Sequence, residues 1–270
     1  MKKEEKGVAV QTDDLSQRAV AIQAEAEERA LALNELGVDA EDLVIPSIQV
    51  MQNTSALVGD DKAKLGDIMN MQTEERLGGL DKPVQFLPLK MFKTLRTYNV
   101  TDGGFKFLHE QPLNKQNEKL PGEGMEEKLS VKRFHTFNFF VLLKSDLDKG
   151  EDFPCLIRFK STGMNAGRTL ATHLYKQVFF RKKPYSSFIG MGVKKEKKDT
   201  NTYGVPTIDT KSTLAASAEE LASAESWLAM LAAGRYKIDD REDLPTESSV
   251  TAARPVVVEA QVVGQADGEY

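Results

Sequence analysis

The chain has 270 residues, with 36 Lys+Arg against 41 Asp+Glu, a net charge of -5, 40 % hydrophobic residues and a single cysteine. One cysteine excludes an intramolecular disulfide and a cysteine-built zinc site. The start, MKKEEKG, runs into polar sequence without the apolar stretch of a signal peptide, and no apolar run approaches the roughly 20 residues of a membrane span. A soluble, cytoplasmic protein of a reducing compartment is expected, with no membrane partner.

The mean charge conceals a partition. Residues 1–85 hold 9 Lys+Arg and 17 Asp+Glu, residues 86–199 hold 22 and 12, and residues 200–270 hold 5 and 12, giving -8, +10 and -7. The middle segment also carries 16 of the 20 aromatic residues, and the first 85 residues carry none. Cations interleaved with rings suit a single-stranded nucleic acid, because cations neutralise phosphate and rings stack on unpaired bases. An aromatic core under a solvated basic surface gives the same composition.

In chain order, residues 1–12 read as disordered. Asp14 caps a helix within residues 13–37, with a thin apolar stripe of Leu15, Ala19, Ile22, Ala26, Ala30 and Leu33 and with Gly37 as its stop. Residues 43–52 and 65–70 read as short extended segments, and Pro46 argues against a central strand in the first. Strands follow at 84–99, with Pro88 at an edge or bulge, and at 105–108 inside a Gly/Pro-rich loop. Further strands lie at 132–144 and 154–161, and a helix at 165–180 turns Leu170, Leu174 and Val178 inward, with His173 as a further inward candidate. Strands at 185–195 and 202–209 close the domain. Ser217 and Glu220 make a capping box for a C-terminal helix within residues 213–234. Residues 235–270 are acidic and poor in large apolar side chains, so a disordered tail is expected.

The five main strands with a helix between the third and fourth have the order of an OB-fold. The expected fold is therefore mostly β: an OB-like five-stranded barrel over residues 38–210 with an inserted helix, flanked by terminal helices.

No catalytic constellation is evident. His109, His135 and His173 lie far apart, without acids or a cysteine at metal-ligand spacing. Cys155 sits inside a strand. Ile189-Gly190-Met191-Gly192 lacks the remaining residues of a phosphate loop, and no paired acid accompanies Lys195-Glu196-Lys197 as a nuclease would need. The expectation is a binding protein, not an enzyme, with no cofactor and no metal. Candidate single-stranded-DNA contacts are Lys90, Phe92, Arg96 and Tyr98 on the first long strand, Arg133 and Phe137 on the second, and Arg158 and Lys160 on the third. Arg181, Lys182, Lys183 and Tyr185 at the helix exit, and Lys194 and Lys195 at a hairpin tip, complete the set. Arg158 and Lys160 alternate with Ile157 and Phe159 and so are expected to face outward. Which face of the second strand is core stays open at this level.

Three motifs carry a family resemblance. The stretch Ile45-Pro46-Ser47-Ile48-Gln49-Val50-Met51-Gln52, the turn Leu65-Gly66-Asp67-Ile68-Met69-Asn70 and the strand Val84-Gln85-Phe86-Leu87-Pro88-Leu89 resemble a group of tailed-phage proteins. Pro154-Cys155-Leu156-Ile157-Arg158-Phe159-Lys160-Ser161-Thr162 is similar to theirs as well. The resemblance covers roughly residues 43–210 and implies a single-stranded DNA-binding protein of OB-fold type, acting in phage replication or recombination without sequence readout. Replication or recombination proteins would meet the acidic tail, which ends Ala266-Asp267-Gly268-Glu269-Tyr270, and a homo-oligomer is compatible with it. The competing expectations are a phage structural or assembly protein with no nucleic-acid role, and a nuclease or strand-annealing protein.

Overall fold

In a computed structural model of the chain, the described residues are 43–101, 104–113, 130–232 and 236–238, with the single positions 24, 28 and 31. The expected N-terminal helix therefore lies outside the described residues except at Ala24, Glu28 and Leu31, which are helical. The Gly/Pro-rich loop after residue 113, Gly234 and residues 239–270 of the acidic tail also lie outside them, while Tyr236, expected in the disordered tail, packs on Phe140 (5.1 Å between centroids) and Lys237–Ile238 form a strand. The elements are β1 (Val44–Ile45), β2 (Ser47–Val50), α1 (Ala56–Gly59), β3 (Ile68–Asn70), β4 (Arg76–Gly78), β5 (Val84–Thr101), β6 (Gly104–Pro112) and β7 (Val131–Leu143). They continue with α2 (Lys144–Leu147), β8 (Cys155–Phe159), α3 (Met164–Phe179), β9 (Ser187–Lys198), β10 (Asn201–Ala215), α4 (Ala218–Ala232) and β11 (Lys237–Ile238).

Eight strands run in the order β10-β9-β5-β7-β8-β2-β3-β4, and β6 joins β5 off this path. The sheet is mixed and curls into a half-barrel. β8 and β2 are parallel, and the other pairs of this sheet are antiparallel. β1 and β11 form a separate parallel pair.

This is not the expected five-stranded OB barrel. The strands between residues 84 and 215 are where the periodicity places them, but they do not close on themselves. β5 spans 18 residues and takes three partners: β7 along one edge, β9 at Val84–Phe86 and β6 at Thr94–Thr101 on the other. The free edge of β8 is taken by β2, which extends the sheet outward to β3 and β4. Pro46 does not prevent this, because β2 starts one residue later and the Pro46 carbonyl accepts from Leu156 N–H (2.8 Å). Pro88 lies beside a bulge, as expected, where the register against β7 shifts between Pro88 and Lys90.

Gln52, just after β2, links to β10 on the opposite edge. Its amide donates to the Gly204 carbonyl (2.9 Å) and accepts from Gly204 N–H (3.0 Å). Asn53 Nδ2 donates to the Thr202 carbonyl (2.9 Å) beside it, so two side chains bridge the place where a further strand pairing would complete a barrel. A Cβ at Gly204 would meet Gly66 Cα and Val50 Cγ1 at 3.2 Å, so the approach is tight.

Both faces of the central strands are covered. On one face Phe137, Phe139, Val141, Ile157, Phe159, Phe86 and Ile189 pack with Ala166 and Leu170 of α3. On the other, Phe140, Leu142, Leu156, Leu87 and Phe188 pack with Ala224, Trp227 and Leu231 of α4. The alternation of β7 therefore feeds two cores at once. The capping box of α4 forms as expected: Ser217 N–H donates to Glu220 Oε2 (2.6 Å) and Glu220 N–H to Ser217 Oγ (3.2 Å).

Candidate nucleic-acid interface

The central strands bring together many of the expected contact residues, but in the interior. Arg96 is 0 % exposed, sits 3.3 Å from Glu110 and stacks 4.4 Å from the Phe107 ring centroid. Thr94 hydrogen-bonds the same Glu110, and Asn138 Nδ2 donates to Thr94 Oγ1 (2.8 Å). A buried cation needs a partnered anion, and this network supplies one. Tyr98 is 2 % exposed and its hydroxyl accepts from Lys160 Nζ (2.9 Å). Phe137 is buried under α3, and Phe92 is half-buried against Phe140 (5.4 Å between centroids). Tyr98 and Phe137 cannot reach a base without opening the sheet, and Phe92 offers only part of its ring.

Other candidates are spent on internal contacts. Lys90 Nζ donates to the Leu231 carbonyl (3.2 Å) in the last turn of α4, and burial lowers its pKa. A cation there satisfies an orphan carbonyl and complements the helix dipole. Lys183 pairs with the buried Glu225 of α4, and Tyr185 OH donates to the same carboxylate (3.5 Å). Arg158 and Lys160 alternate with Ile157 and Phe159, but both are half-buried instead of outward. The strand is covered on both faces, so alternation there does not separate core from solvent.

Arg133, Arg181, Lys182, Lys194 and Lys195 remain as exposed candidates. Lys194 and Lys195 lie on the β9–β10 ribbon with Lys197 and Lys198, which are also exposed. Lys194 pairs with Glu196 at 2.5 Å. The ribbon leaves the sheet after Met191, where pairing with β5 ends. Ser161, Thr162, Asn165, Lys194, Glu196 and Tyr203 line a polar cleft of 470 Å³ between the start of α3 and this ribbon.

The exposed aromatic surface lies on α3. Along its inward stripe exposure rises toward the C-terminus: Leu170 is fully buried, Leu174 half-buried, and Val178 58 % exposed. The helix outruns the sheet, which corrects the expectation that Val178 packs inward. His173, the further inward candidate, is half-buried; Gln177 Nε2 lies 3.2 Å from its Nε2, and burial lowers its pKa. On the outer stripe Arg168, Thr172, Tyr175 and Phe179 follow at helical spacing, all exposed. Tyr175, Phe179 and Phe180 are 71 %, 70 % and 68 % exposed. Arg181, in a left-handed conformation (φ 55°), and Lys182 follow directly.

The sequence reading assigned this helix but missed its rings. Its signal is the absence of acids: residues 153–195 contain nine Lys+Arg and no Asp or Glu. Among the described residues no group of three or more His, Cys, Asp or Glu is placed to hold a metal ion. Burial raises the pKa of Cys155 to about 12, so the thiol has little thiolate character.

Residues 16–237 match the Pam3 phage gp34-like protein family. The chain belongs to that family. A phage protein is therefore in hand, as the resemblance implied. No curated protein and no solved structure matches the chain. The motifs that carried the resemblance have structural roles here. Pro46 and Gln52 flank β2 and tie it to β8 and β10, while Asp67 accepts from Lys64 N–H and Arg76 Nε (both 2.8 Å) to hold the turn after Gly66.

Proposed function

We propose that the chain is a sequence-independent single-stranded DNA-binding protein of a phage, whose contact surface is the outer face and exit of α3 together with the β9–β10 ribbon. One observation carries this reading: three aromatic rings stand about 70 % exposed within an acid-free, nine-cation segment. Large exposed rings are costly in water and mark interaction sites. Flanking cations suit a phosphate chain, and rings suit bases that are already unpaired. The outer face of α3 spans about 24 Å at 1.5 Å per residue. That length links the polar cleft at its start to the rings at its end. The role is binding, in the host-cell cytoplasm during replication or recombination.

A second reading has its own support. Val178 adds an aliphatic side chain to the rings, and a contiguous apolar patch also suits a protein contact, as in a structural or assembly protein. Salt separates the two. A DNA complex should weaken with ionic strength with a logarithmic slope of about -0.7 per phosphate contacted. The test is a titration with a fluorescent oligothymidylate and a duplex of equal length at two salt concentrations. Single-strand preference with a salt slope, reduced when Lys194 and Lys195 are both changed to Ala, supports DNA binding. Equal affinity for duplex, or salt-independent binding, refutes it.

A further inference from the structure

We propose that Tyr175 and Phe179 of α3 clamp one unpaired base between their rings, with Lys176, Arg181 and Lys182 set to meet the adjoining phosphates. This rests on the DNA-binding reading and gives it a specific contact. The two residues are one helical turn apart and share the outer face. Their ring centroids are 6.5 Å apart and their planes differ by 25°. A base sandwiched between two rings needs about two stacking thicknesses, roughly 6.8 Å at 3.4 Å per stacked step. The centroid separation is close to that thickness, and both side chains are exposed, so they can turn their faces toward an inserted ring. Phe180 stands almost perpendicular to Phe179 (83°, 5.4 Å). Its ring packs edge-on against Phe179.

The occupant follows from the charge around the gap. Lys176, Arg181 and Lys182 are all exposed, and no acid occurs between residues 153 and 195. An aromatic pair followed along the chain by exposed cations fits a group with a flat π face on an anionic chain. Stacking reads any base, so the clamp adds affinity without sequence preference. A duplex base is already stacked on both sides and cannot enter.

The probe is an oligothymidylate with a single 2-aminopurine, whose fluorescence is quenched on stacking. The proteins are the full chain and its Tyr175→Leu and Phe179→Leu variants, which keep an apolar side chain and lose the ring. Both positions are exposed, so an unchanged melting temperature certifies the fold. The clamp predicts quenching by the parent protein and a loss of about 5- to 150-fold in affinity for each variant. It also predicts that an abasic strand of equal length binds parent and variants alike. Variants that bind the 2-aminopurine strand as tightly as the parent overturn the clamp and leave the DNA-binding reading standing. A parent protein that binds no single strand at low salt overturns both. A salt-insensitive self-association lost in Phe179→Leu, with DNA affinity unchanged, overturns the clamp in favour of a contact between two copies.

Discussion

Gly167→Ala tests how α3 is seated on the sheet, and two effects of opposite sign meet there. In an unconstrained helix the change stabilises by about 1 kcal/mol, because alanine loses less backbone entropy and has the higher helix propensity. Here the added Cβ would lie 2.9 Å from Phe159 Cβ and 3.1 Å from Phe137 Cβ and Cδ2. Two of those atoms are Cβ carbons of core strands, which no rotamer change can move. The helix itself must lift, and overpacking of this kind costs about 1–3 kcal/mol. With backbone-anchored neighbours the cost belongs in the upper half of that range, so the net loss is about 1–2 kcal/mol. At about 2–4 °C per kcal/mol for a domain of this size, the melting temperature should fall by about 2–8 °C. Thr172→Ala, on the exposed face of the same helix, isolates propensity and should be neutral or slightly stabilising. Thermal unfolding by circular dichroism, with urea titration for the slope, compares the three proteins. A Gly167→Ala protein that melts higher than the parent would refute the close seating of α3.

Three further outcomes follow from single contacts. Gln52→Ala removes both hydrogen bonds to Gly204 and should cost about 1–3 kcal/mol in urea unfolding; faster amide exchange at Gly204 would accompany it, and unchanged exchange would show that the edges are held together without Gln52. Cys155 should not react with a disulfide reagent at pH 8 in the folded protein and should titrate fully in denaturant. Its pKa is raised above the unfolded value, so its contribution to stability holds below about pH 8.5 and is lost as pH rises toward 12. Lys183→Ala should lower the melting temperature by leaving the buried Glu225 charge without its cation, whereas Lys182→Ala should leave it unchanged and weaken single-strand binding. The reverse pattern would exchange the roles assigned to these neighbours.

The strands between residues 84 and 215 were legible because their periodicity is local and long. β5 and β7 show alternating large side chains over 18 and 13 residues, and the Ser217–Glu220 capping box is written in four letters. The closure was not legible. Whether β8 ends a barrel or meets another strand depends on β2, a strand of four residues beside a proline, and short strands carry almost no periodic signal. The faces of β7 were undecidable for a related reason. Alternation separates core from solvent only when one face is wet, and here α3 and α4 cover both. Arg96 and Tyr98 looked like surface contacts because nothing local marks a buried ion pair. Glu110, the partner of Arg96, comes from the next strand.

Fold and proposed binding surface leave different traces in this chain. Pro46, Gln52, Gly66 and Asp67 hold chain segments at fixed distances, so each position demands a particular backbone or side-chain geometry. Such demands produce short motifs with defined spacing, which is why these residues carried the family resemblance. A surface that stacks and neutralises makes no demand of that kind. Arg168, Lys176, Arg181 and Lys182 need only be cationic and near the rings, and Tyr175 and Phe179 need only be flat, exposed and one helical turn apart. A carboxylate on such a surface would repel the phosphate chain and capture neighbouring cations, as Glu196 does with Lys194 on the ribbon, so the stretch around the rings would avoid one. Its trace is therefore an omission: 43 consecutive residues, 153 to 195, without one acid in a chain that has 41. A solvated basic face has no such requirement, and the -8 and -7 flanks show that acids are otherwise freely used.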